Sequence, residues 1–434
     1  MFPGFYFDDH RNRYFPGSPP APRRPPPVVA VAARPARLKL LHHPPLLPVT
    51  PANAGYSDRY CAHIASTSRF DLSPASTFGD ITHFCSSSVS PTRRYLGDSK
   101  GWLYSSSSYQ SSSSSSDSTP DLQMYIWPPE INLHSHSQVS SVNISGQYCV
   151  QVPVNLLFLH LPASFAFSSA TCFGPVSRIA VQNTAVSGRT TLITLNQVHD
   201  VRTSHLLGSQ LILGAKGRAV YLPDIDISES TQILRNRQNS DIFAIDRNER
   251  LVYLGARNGS LTRHDLRIPL DESNGQWLYS SKNTKVPSSV LYLRLIQDYQ
   301  LLVSKMNGEL CTYDTRFPLQ NVPITSFKGH CNTISPKLGI CVDPAQNFLV
   351  AAGEDGRIRG WSLRTGKALN NDLTAPSVTQ TSDFGQFRNP FKAKFPVPVS
   401  TMQIVEENGN DICLWVGCRQ TLYRYFLGQV SLER

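Results

Sequence analysis

The chain has 434 residues, 40% hydrophobic and 17% charged, with 32 prolines and a formal net charge of +10. That length allows about two or three domains, but half of the prolines and a dense serine run precede residue 121, so a head too polar to pack comes before one globular body. The charge excess is thin, +5 before residue 121 and +5 after it, and its longest basic runs are Arg23-Arg24 and Arg93-Arg94, which speaks against a nucleic-acid partner.

Other classes fall on similar grounds. The most apolar stretch, Val150 to Ala170, is interrupted by Gln151, Pro153, Asn155, His160 and Pro162, so no membrane span is expected. Asp8, Asp9, Arg11 and Arg13 near the start have no apolar run behind them, unlike a secretory signal. The nine cysteines are odd in number and include no Cys-x-x-Cys pair, which favours reduced, buried thiols over disulfides or zinc. His330, Cys331 and Cys341 match no common metal spacing. No metal and no cofactor are expected.

In chain order, residues 1–15 carry the first feature. Phe5, Tyr6, Phe7, Tyr14 and Phe15 place five aromatics within eleven residues, which suits a docking peptide that buries them, above all Phe5, Tyr6, Tyr14 and Phe15, on the body or on a partner. Residues 16–123 read as a disordered linker: prolines at the density of 16–52 preclude regular hydrogen bonding, and the serines from 105 to 116 bury too little to offset their ordering entropy. From about residue 124 to 434 the pattern becomes short apolar runs separated by glycine turns, the mark of many antiparallel strands.

Those strands repeat. A strand, a tight turn and a second strand recur around Gly217, Gly259, Gly308, Gly356 and Gln420, with weaker copies turning at Gly146 and Gly188. The intervals of 42, 29, 42, 49, 48 and 64 residues mostly match the roughly 40 to 50 of a four-stranded blade. Seven turns predict an all-β, seven-bladed propeller over 124–434, a ring that leaves only short sheet edges.

Three resemblances follow. Gly329-His330, Asp343-Pro344, Asp355-Gly356 and Trp361 resemble a WD repeat, in which His330, Asp355 and Trp361 would belong to a structural hydrogen-bonded set. Ala351 and Ala352 fall where that set expects a hydroxyl, so it is expected to be incomplete. Next, His264-Asp265-Leu266-Arg267, Tyr313-Asp314-Thr315-Arg316 and Trp361-Ser362-Leu363-Arg364 resemble the Trp-Asp-x-Arg box of WD-repeat substrate receptors. That resemblance implies that Asp265, Arg267, Asp314, Arg316 and Arg364 bind the β-propeller adaptor of a cullin-4 ubiquitin ligase. Finally, residues 3–15, Ser240-Asp-Ile-Phe-Ala244 and Gly329-His330 are similar, in the same order, to the cullin-4-associated factors, whose propellers follow a Gly-Phe-Tyr-Tyr-Asp-type peptide.

No phosphate-binding loop, His-Glu-x-x-His helix or Gly-x-Ser-x-Gly elbow is present. The expected function is therefore a non-enzymatic substrate receptor, a monomer within a larger complex in the nucleus and/or cytoplasm, which holds an unidentified client near the ligase. A general WD scaffold in ribosome or RNA-particle assembly is the alternative. A propeller hydrolase ranks third.

Overall fold

The structure, a computed structural model, describes residues 5–8, 13–16, 59–67, 69–86, 93–107, 126–146, 166–174, 177–183, 190–225, 231–234, 239–268, 275–279, 287–318, 322–369, 388–407 and 411–429. The chain divides into two units, Met1–Leu46 and Leu47–Arg434. In the first, β1 (Phe5–Asp8) pairs with β2 (Arg13–Pro16) as a hairpin that sets Tyr6 opposite Phe15 and Phe7 opposite Tyr14.

The second unit opens with a short helix at residues 59–65 and then forms seven antiparallel sheets. β3 (Phe70–Pro74) precedes the first blade, built from β4 (Ile81–Ser86), β5 (Arg93–Asp98), β6 (Trp102–Ser107) and β7 (Pro129–Asn132). Blade 2 holds β8 (Val139–Gly146), β9 (Ala166–Cys172), β10 (Ser177–Asn183) and β11 (Thr190–Leu195). Blade 3 holds β12 (Thr203–Leu207), β13 (Gln210–Ala215), β14 (Arg218–Leu222) and β15 (Gln232–Leu234). β16 (Ile242–Arg247), β17 (Leu251–Ala256), β18 (Leu261–Asp265) and β19 (Gln276–Tyr279) make blade 4. β20 (Val290–Ile296), β21 (Gln300–Lys305), β22 (Leu310–Asp314) and β23 (Thr325–Ser326) make blade 5. Blade 6 has β24 (Ile340–Val342), β25 (Phe348–Ala352) and β26 (Ile358–Ser362). Blade 7 has β27 (Thr401–Glu407), β28 (Asp411–Cys418) and β29 (Thr421–Phe426), and β3 returns to pair with β29 as its outer strand. The protein is a seven-bladed β-propeller whose ring is closed by a strand from before the first blade.

Why the second strands read as unbroken apolar runs follows from this arrangement, because both faces of each blade pack on neighbours. In β13, β17 and β21 every residue after the first is buried. The core lies between blades: Ile212 and Ala219 pack with Ile242, Val252 and Leu254, while Tyr253 and Leu261 pack with Val290, Leu293 and Leu301. Each Val, Leu or Ile side chain among these contributes about 1.5–3 kcal/mol when fully buried. The next-to-last residue of the second strand is Gly97, Gly214, Gly255 or Gly417 in four blades. A Cβ at Gly97 would meet a Val139 methyl at 2.4 Å, and one at Gly255 a Val290 methyl at 2.5 Å, so the small residue permits close approach of the following blade.

Polar groups close the ring. The buried Glu407 carboxylate on β27 accepts from Trp415 Nε1 at 2.8 Å, from Arg94 Nη2 of blade 1 at 2.9 Å and from Arg424 on β29. Arg424 also lies 3.6 Å from Asp71 of β3. One carboxylate thus ties blade 1, blade 7 and the closing strand together. Phe84 stacks on Trp415 across the same junction, with ring centroids 5.2 Å apart.

Two expectations need correction. The propeller does not start at residue 124: β3 to β6 lie between residues 70 and 107, within the stretch assigned to the linker. Serine content hid them, since β6 reads Trp-Leu-Tyr-Ser-Ser-Ser, with its apolar half packed and Ser106 buried. Of that linker, residues 17–58, 68, 87–92 and 108–123 lie outside the described residues. The blades number seven, as the repeat predicts, but the first two turns lie elsewhere than at Gly146 and Gly188. Gly146 ends β8, Gly188 lies outside the described residues, and the turns in question fall at Gly101 and around Gly174. Gly101 has φ +80°, and a Cβ there would lie 2.2 Å from the His134 carbonyl oxygen. In the last turn the left-handed residue is Arg419, φ +52°, and not Gln420.

A candidate protein-docking rim

Blades 4, 5 and 6 are consecutive, and their third strands, β18, β22 and β26, end at equivalent places in the ring. Asp265 closes β18 and Asp314 closes β22. The chain turns immediately afterwards, and each aspartate holds the residue two positions on. Arg267 donates its backbone N–H to Asp265 Oδ1 at 3.0 Å, its Nε at 2.9 Å and its Nη2 to Oδ2 at 2.5 Å. Arg316 repeats this on Asp314 at 2.9, 2.9 and 2.6 Å. The two forks share one geometry because they share one local sequence.

Each fork fixes an arginine without consuming it. A guanidinium carries five N–H donors and the fork occupies two of them. The side chains of Arg267 and Arg316 are 61% and 59% exposed, so the remaining donors face solvent. Arg316 is also set over the Tyr299 ring, 4.1 Å from its centroid. The hydrogen bonds from the Arg267 side chain and backbone hold the Asp265 carboxyl down at about 2, and the Arg316 side chain holds Asp314 below its ordinary value. Both pairs are therefore fully ionised at neutral pH.

Arg364 departs from this pattern. Ser362 stands where the other boxes have aspartate, so no fork forms, and Arg364 is half-buried. The residues in the tryptophan position of the other two boxes are structural. His264 is buried, 3.4 Å from Thr262 Oγ1, and burial lowers its pKa to about 4. Tyr313 is buried and donates its hydroxyl to Glu309 at 2.8 Å.

One feature of the rim escaped sequence reasoning. Each box continues with an apolar residue and a proline, Arg267-Ile268-Pro269 and Arg316-Phe317-Pro318, and both apolar side chains are exposed, Ile268 by 47% and Phe317 by 54%. Val322 and Ile324 of blade 5 are exposed as well. The spacing was visible; only the fold reveals that these side chains point outward beside the arginines.

His330, Asp355 and Trp361 do not form a set. Asp355 is held by Arg359 through bonds of 2.9 and 2.6 Å, Trp361 Nε1 donates to the Lys328 carbonyl at 2.9 Å, and neither ring nitrogen of His330 has a hydrogen-bond partner. Burial first, and the nearby Arg359 second, lower His330 to about 4. With Ala351 and Ala352 no hydroxyl bridges these groups, and Arg359 captures the aspartate instead. The hairpin backbone places Phe5, Tyr6, Tyr14 and Phe15 on its two paired strands, while their side chains lie outside the described residues.

No family model matches the sequence. The chain is similar to an uncharacterized WD repeat-containing protein of Caenorhabditis elegans, 33% identical over 127 residues, which cover 29% of this chain and 22% of that protein. It is also similar to the human DDB1- and CUL4-associated factor 4-like protein 2, 32% identical over 149 residues, which cover 32% of this chain and 35% of the relative. The matches therefore span about a fifth and about a third of those relatives' lengths. Among solved structures, Raptor of Chaetomium thermophilum aligns over 87% of this chain and 30% of its own, with a TM-score of 0.53 at 10% identity, a likeness of fold alone. No helix among the described residues is long and apolar enough to cross a membrane. Taken with the seven blades, these likenesses identify the chain as a WD-repeat propeller protein that resembles the cullin-4-associated factors.

Proposed function

We propose that this propeller is a non-enzymatic substrate receptor of a cullin-4 ubiquitin ligase, docking on the ligase adaptor through the rim of blades 4 and 5. The observation that carries the reading is the pair of identical, exposed Asp-Arg forks on adjacent blades, Asp265–Arg267 and Asp314–Arg316. Each presents a preset guanidinium beside an exposed apolar residue, Ile268 or Phe317. That combination suits a partner offering carboxylates or backbone carbonyls around an apolar patch. The human relative's name, which couples DDB1 and CUL4, agrees with it. The chemistry would then belong to the ligase, and the propeller would raise the local concentration of a client held on another surface.

A second reading has its own support. Both forks satisfy their charges within the blade, so they serve equally well as turn clasps in a general WD scaffold. Affinity purification of the full chain separates the two. Recovery of cullin-4 with its propeller adaptor supports the receptor, whereas recovery of RNA-associated proteins with no adaptor supports the scaffold.

A further inference from the structure

The first strands of the seven blades surround a central cavity of about 350 Å³. Into it projects Lys337, which precedes β24 of blade 6. Its ammonium passes blade 7 and donates to His83 Nδ1 of blade 1 at 2.7 Å, approaching the Ser140 carbonyl of blade 2 at 3.4 Å. Burial first, and the neighbouring ammonium second, hold His83 well below its ordinary value, against a backbone hydrogen bond at Val139 that raises it, so the imidazole is neutral and has no charge to offer the lysine.

The other charges around the cavity are engaged. Asp246, its one lining carboxylate among the described residues, accepts from the Leu295 N–H at 2.5 Å and lies 3.8 Å from Arg294 and 3.5 Å from His205. Arg202 lies 3.8 Å from Asp241 and is set over the rings of Phe173 and Phe243. Lys337 makes no ion pair with a carboxylate of the described residues. A second observation concerns Ser304, which is 1% exposed, lines the same cavity and has a hydroxyl without a hydrogen-bond partner. An ammonium without a counter-ion and a buried hydroxyl without a partner line one open-ended space several times the roughly 30 Å³ of a water molecule.

We infer that the central channel is a binding site for a small oxyanion, a phosphate group carried free or on a small organic body, with Lys337 supplying the charge. This stands apart from the docking rim and from any ligase role. A carboxylate would meet the same ammonium, and acetate titrated at pH 6 tells the two apart.

Sulfate is the first probe, since its charge does not change between pH 6 and 8.5. Titration calorimetry of the full chain should show saturable sulfate binding that Lys337→Met weakens about tenfold or more, while Arg267→Glu leaves it unaltered. Burial lowers Lys337 to about 7. Affinity of the unaltered protein should therefore fall about tenfold or more from pH 6 to 8.5, as the ammonium is lost and His83 stays neutral throughout. Inorganic phosphate and glycerol phosphate, compared at pH 6, distinguish a free from an esterified ligand. Absence of saturable binding by all three anions overturns the inference, as does a sulfate affinity that is flat with pH or unchanged in Lys337→Met. The pH series needs no variant, so it decides the matter even if Lys337→Met fails to fold.

Discussion

At residue scale, burial sets the chemistry more than charge does. His264 fills the place a tryptophan takes in the resembled box, and its surroundings hold its pKa near 4 against an ordinary value of 6.5. Between those limits the unfolded chain binds a proton that the folded chain refuses. The stability contributed by the neutral ring is full above pH 6.5 and is lost as the pH falls through about 4, by up to about 1.4 kcal/mol per pH unit. His330, also lowered to about 4, acts in the same direction. Urea denaturation at pH 7.5 and at pH 5 should show His264→Gln losing less stability on acidification than the unaltered protein. Equal losses would mean that His264 is protonated while folded. The Asp265 and Asp314 forks behave differently: depressed carboxyl values keep both pairs ionised throughout this window, so adaptor binding through them should hardly change from pH 5 to 8.

At the scale of elements, what could be read from the sequence depended on how much of a blade was apolar. Blades 3 to 6 announce themselves because a run such as Leu251–Ala256 is buried on both faces and its turn ends in Gly259 at φ +80°. Blade 1 did not, because its third strand carries hydroxyls, and composition alone cannot distinguish a serine-rich strand from a serine-rich linker. The closing clasp was invisible for another reason: Arg94 and Glu407 stand 313 residues apart and meet only when the ring closes. The Asp-x-Arg spacing was legible, whereas the exposure of Ile268 and Phe317 and the reach of Lys337 across the channel depend on the fold. Glu407→Ala removes the buried carboxylate that the Arg94 and Arg424 guanidiniums share and should cost about 3–5 kcal/mol of stability in denaturant titration. A loss below about 1 kcal/mol would show that the ring closes without it.

At the scale of the whole molecule, a closed ring of seven blades supplies several independent surfaces on one rigid body. In the proposed receptor one rim is then offered to the adaptor, other surfaces are left for a client, and the peptide at residues 3–15 docks on the body or on the adaptor. Removing residues 1–15 should lower the melting temperature or the adaptor recovered in affinity purification, and no change in either would make the peptide dispensable. Adaptor docking on this rim depends on Arg267 and Arg316, and reversing both charges is its sharpest test. Purified adaptor is titrated onto the immobilised full chain, unaltered or carrying Arg267→Glu with Arg316→Glu, and thermal melts of both forms are recorded. Loss of two charge-assisted contacts predicts binding weaker by about a hundredfold or more, with the melting temperature almost unchanged because both side chains are exposed. Equal affinity of the two forms, or no binding by the unaltered chain, would show that the rim of blades 4 and 5 does not dock the adaptor.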